Sequence, residues 1–69
     1  MYEIRANEAQ LKKLEGTRHE FLFFNYPWKS HAINMVALSF PENQFKEAKE
    51  VFVTLEMCRI TVFKSWPNE

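Results

Sequence analysis

The chain has 69 residues, enough for one domain spanning residues 1–69. It is 46% hydrophobic and 16% aromatic, and nine basic side chains face nine acidic ones. That balance excludes intrinsic disorder, and it excludes attachment to nucleic acid or membrane by bulk charge alone. A single cysteine excludes a disulfide scaffold, and apolar runs of no more than four residues, such as Phe21–Phe24, exclude a membrane span of roughly 20 residues.

The elements follow in chain order. Residues 2–5 alternate Tyr2 and Ile4 against Glu3 and Arg5, the pattern of a short strand. Asn7 precedes a helix over residues 8–15 as its N-cap, with Gln10 at capping-box spacing, Leu11 and Leu14 as an apolar stripe and Gly16 just past the end. Residues 18–25 read as a second strand around Phe21-Leu22-Phe23-Phe24, residues 25–30 as a turn, and residues 31–38 as a third strand closing a hairpin. Ser39, Pro41 and Glu42 open a helix over 41–56, with Phe45, Ala48, Phe52 and Leu55 as its stripe and Val51 at the stripe edge. Residues 58–64 read as a last strand, with Ile60 and Val62 on one side and Arg59, Thr61 and Phe63 on the other; residues 65–69 read as an irregular tail.

The expected fold class is therefore α+β, in (β)αββαβ order: a ferredoxin-like arrangement, or a three-stranded sheet if residues 2–5 do not pair, with two helices on one face. Pairing Phe24 with His31 puts Leu22, Phe24, Ile33, Met35 and Ala37 on one face and Phe21, Phe23, Ala32, Val36 and Leu38 on the other. Both faces are then apolar, and two helices cover one at most. The second face calls for a lid: the tail with Trp66, the Tyr26–Trp28 loop, a second copy or another protein.

Chemistry-bearing residues are sparse. His19 and His31 fall about 17 Å apart on the expected hairpin, at about 3.3 Å per residue, too far to share one phosphate or metal. An enzyme would have to use one histidine with Arg18, Glu20 or Arg59. One cysteine and two separated histidines do not make a zinc site, and one glycine does not make a phosphate loop. No metal, cofactor or catalytic residue is expected.

Tyr26-Pro27-Trp28 has the aromatic character of a protein-binding loop. The expected protein contacts are Phe21, Phe23, Tyr26, Trp28 and Trp66. Arg18, Lys29 and Arg59 would supply a basic patch for the alternative, nucleic-acid binding by the hairpin and its loop. A free Cys58 and the lack of a basic–apolar–small opening pattern point to the cytoplasm. By association with chains of this size, the expected role is a non-enzymatic protein-binding module of adaptor, antitoxin or inhibitor type, as found on mobile elements, homodimeric through its sheet and without a membrane partner.

Overall fold

A computed structural model of the chain describes residues 1–20 and 29–66, Lys29 by its backbone alone. They form a small α+β domain. β1 (Tyr2–Asn7) leads into α1 (Glu8–Leu11), which tightens into a 3-10 turn over Lys12–Leu14. β2 (Lys29–Ala32) and β3 (Met35–Phe40) form a hairpin. A 3-10 turn (Glu42–Gln44) opens α2 (Phe45–Met57), and β4 (Val62–Ser65) ends the described chain but for Trp66. The four strands make one antiparallel sheet in the order β2-β3-β1-β4. Residues 2–5 do pair, so the three-stranded alternative is set aside.

Local signals explain the ends of α1. The Asn7 side chain accepts a hydrogen bond from the Ala9 amide at 2.9 Å, and the Glu8 amide donates to the Asn34 carbonyl at 3.0 Å. Two of the amides that the first turn leaves without helical partners are thus satisfied. Gly16 takes φ 78 after the 3-10 turn, as the sequence suggests. Gln10 departs from its capping-box role: its carbonyl oxygen accepts from the distant Thr61 amide at 3.0 Å and ties α1 to the start of β4.

The hairpin lies elsewhere than expected. Its tip is Ile33-Asn34, and His31 pairs with Val36; Phe24, its expected partner, lies outside the described residues. The expected strand over 31–38 is therefore broken at its third residue. Asn34 makes this possible by adopting φ 61, which asparagine tolerates better than most side chains. Of the expected strand over 18–25, residues 18–20 are not strand, and residues 21–25 lie outside the described residues.

β3 continues through Ser39 to Phe40, so Ser39 is a strand residue and not a helix cap. α2 ends in a Schellman motif: the Ile60 amide donates to the Leu55 carbonyl at 3.1 Å and the Arg59 amide to the Glu56 carbonyl at 2.9 Å. No glycine supplies the left-handed residue that this motif needs. Arg59 takes it instead, at φ 59. The last strand therefore begins at Val62 and not at Cys58, which is the helix cap.

The register sorts the sheet faces. Ile4, Ala6, Val36, Leu38 and Phe40 point into one core with Leu11 and Leu14 from the first helical segment, Ala48, Val51 and Leu55 from α2, and Ile60. Both helical segments thus pack on one face. The other face carries Glu3, Arg5, Ala37, Ser39, Met35, Phe63 and Ser65. Arg5 stands between Ala37 and Phe63 in the register and donates to Glu3 at 2.7 Å. The expectation of two apolar faces is corrected here: among the described strands the open face has a charged pair at its centre, which divides its apolar residues. Met35 and Ala37 still share one face and Val36 and Leu38 the other, as expected; the charge comes from β1, which sets Glu3 opposite Ser39 and Arg5 opposite Ala37.

Candidate functional site

The core stripe of α2 centres on Ala48, Val51 and Leu55, at i, i+3 and i+7. Phe45 and Phe52, seven residues apart, therefore sit on the flank of the helix, half-buried. There they meet Tyr2 from the start of β1 and Trp66 from the end of β4. The Tyr2 and Phe45 rings stack with centroids 4.5 Å apart. Trp66 stands edge-on to Tyr2 at 5.5 Å, to Phe45 at 5.9 Å and to Phe52 at 6.0 Å. Edge-to-face rings at such spacings attract through their quadrupoles.

This cluster floors a cleft of about 410 Å³ lined by Phe45, Lys49, Phe52, Val53, Lys64 and Trp66. The Lys64 ammonium lies 4.8 Å from the Phe52 centroid and 5.5 Å from that of Trp66; the Lys49 ammonium lies 5.2 Å from Phe45. A wider groove of about 660 Å³ continues along α2 past Lys46, Glu50 and Thr54. Val53 is 49% exposed in it, and Met57, one turn on, is 78% exposed. Three lysines against one glutamate give the rim a positive balance. The arrangement offers apolar area with cations around it, suited to an apolar side chain flanked by carboxylates.

A second, more enclosed cavity of about 330 Å³ lies where the 3-10 turn after α1 meets the end of α2, lined by Gln10, Lys13, Thr17, His19, Cys58 and Arg59 over an apolar wall of Leu14 and Ile60. Thr17 is committed locally: its hydroxyl donates to the Leu14 carbonyl at 2.6 Å and accepts from the His19 amide at 3.2 Å. No group of three or more His, Cys, Asp or Glu able to hold a metal ion occurs among the described residues. No described helix is long and apolar enough to cross a membrane.

The residues singled out by sequence are scattered. Phe21, Phe23, Tyr26 and Trp28 lie outside the described residues. Trp66 is part of the aromatic cleft, on the helix-covered side of the sheet and not over its open face. Arg18 is exposed in a turn, Lys29 opens the edge strand opposite Leu38, and Arg59 lines the enclosed cavity. The three basic residues thus sit on three separate segments. His31 is exposed on β2, whereas His19 and Arg59 share the enclosed cavity. Sequence reasoning missed Phe45, Lys49, Phe52 and Lys64 as a surface, since Phe45 and Phe52 fit the core stripe equally well. The available signal was Lys49 and Val53, which continue from Phe45 at i+4 and i+8 along one line of the helix.

No family model, curated protein or solved structure matches the chain.

Proposed function

We propose that this chain is a small non-enzymatic protein-binding module of adaptor or inhibitor type, and that its working surface is the aromatic cleft of Phe45, Phe52 and Trp66. The observation that carries this reading is the apolar line of half-buried Phe45 and exposed Val53 and Met57 on the flank of α2, which lysines border. Its complement is a protein segment with an aromatic or large aliphatic anchor next to aspartate or glutamate. Trp, Tyr and Phe dominate such contacts because each brings a large apolar area at little entropy cost.

The architecture behind this surface we read as the ferredoxin-like, split βαβ type. In support, β3 lies between β1 and β2, and β1 lies between β3 and β4, so each βαβ unit is split by a strand of the other. The homodimer expected from the sequence would join open sheet faces. The Glu3–Arg5 pair at the centre of that face weakens such a contact, so the binding role is assigned to the cleft. Nucleic-acid binding has less support: among the described residues the open face has one exposed ring, Phe63, and the Arg5 beside it is already tied to Glu3.

A photo-crosslinking residue at Val53, introduced in cells that make the chain, tests the reading. One discrete protein adduct is expected, with none from the same residue at exposed Glu15. An adduct at twice the chain's own mass would assign the surface to self-association. A nuclease-sensitive adduct, or equal labelling from both positions, would overturn the proposal.

A further inference from the structure

The enclosed cavity between the first helical segment and the end of α2 plays no part in the protein-binding reading. Its polar lining is one-sided. Lys13 comes from the 3-10 turn, His19 from the turn that follows it, and Arg59 from the end of α2, forty residues further on. No carboxylate lines it among the described residues. Glu56 borders the neighbouring groove with Arg59, yet neither Lys13 nor Arg59 makes an ion pair with any described residue. Both side chains are exposed at the rim, where one anion can meet two positive charges.

Two further features fit an anion. Gln10, a lining residue, is fixed by accepting from the Thr61 amide through its carbonyl oxygen, and its NH₂ group keeps its donors. Arg59 occupies the left-handed position of a Schellman motif, where glycine is the residue of lowest cost. Arg59 nonetheless lines the cavity, with a planar, five-donor group that pairs with carboxylate or phosphate oxygens. Strain of this kind is common where a side chain serves a ligand.

We infer that this cavity binds a phosphoryl oxyanion, held by Arg59, Lys13 and the amide of Gln10, with His19 as a further donor and Leu14 and Ile60 as the apolar wall. The ligand is inorganic phosphate or the phosphoryl end of a small molecule such as a nucleotide.

Titration of the isotope-labelled chain with inorganic phosphate, and separately with a nucleoside 5′-monophosphate, followed by amide chemical shifts, tests this. Saturable shifts are expected at Lys13, Thr17, His19 and Arg59. Lys13→Ala and Arg59→Gly should each weaken binding about tenfold or more, the loss of one charge-assisted contact, whereas Lys46→Ala should not. Arg59→Gly also guards against misfolding, because glycine suits its backbone: its melting temperature should hold or rise by a few degrees. Tighter binding of the nucleotide would name a phosphorylated small molecule as the ligand; equal binding would name phosphate itself. Absence of saturable shifts with both probes would overturn the site, as would undiminished binding by folded Arg59→Gly.

Discussion

Phe40→Ala is expected to cost about 3–5 kcal/mol and bring the chain to the edge of unfolding, while Phe63→Ala changes stability by no more than about 0.5 kcal/mol. Both residues are strand phenylalanines, and they differ in the face they occupy. Phe40 is the largest fully buried side chain among the described residues, on the β3 face covered by both helical segments. Its loss leaves a cavity that rigid strand neighbours cannot close. Phe63 is 62% exposed on the open face. A chain of 69 residues has roughly 3–10 kcal/mol of stability in all, at about 0.05–0.15 per residue, so the first change is decisive and the second is not. Urea midpoints followed by circular dichroism measure both. A Phe63→Ala cost as large as that of Phe40→Ala would mean that the open face is covered in solution, and the sheet-joined dimer would then return.

Trp66→Ala is the other large effect, at about 2–3 kcal/mol, less than for a fully buried tryptophan because the ring is half-exposed. It removes the edge contacts to Tyr2, Phe45 and Phe52 together and takes the floor from the cleft. This residue therefore serves packing as well as recognition. Lys49→Glu and Lys64→Glu separate the two roles. Lys49 gives up one exposed cation–π contact and Lys64 two, each worth about 0.5–1 kcal/mol, and both substitutions reverse the charge at the rim. An unchanged melting temperature for Trp66→Ala would mean that the ring does not pack as described, and the cleft would lose its basis.

What the sequence disclosed depended on whether the signal was local. Asn7 and Gly16 delimit the first helical segment through their own conformational preferences, and the structure uses both as their chemistry suggests. The hairpin tip was obscured because Ile33 is β-branched and reads as strand, while Asn34 alone marks the turn. Pro27 is the louder punctuation and centres the expected turn on residues 25–30, of which Lys29 and Ser30 are strand and the rest lie outside the described residues. The end of α2 was hidden for a related reason: Arg59 holds a position where glycine would have advertised the stop.

Neither candidate site was legible from spacing alone. The cleft joins Tyr2, Phe45, Phe52 and Trp66 from three elements, and its helix residues share the period of the core stripe. The second cavity joins Lys13 and His19 to Arg59 only where the 3-10 turn after α1 meets the segment that follows α2, a meeting that the Gln10–Thr61 bond helps to fix.

Selection of peptides from a random library on the immobilised chain tests the protein-binding claim most directly, because it requires no knowledge of the natural partner. Enriched sequences should pair an aromatic or large aliphatic residue with aspartate or glutamate, and should lose the Lys49→Glu, Lys64→Glu double variant while it remains folded. Peptides without acidic residues that bind this variant as well as the native chain would contradict the account.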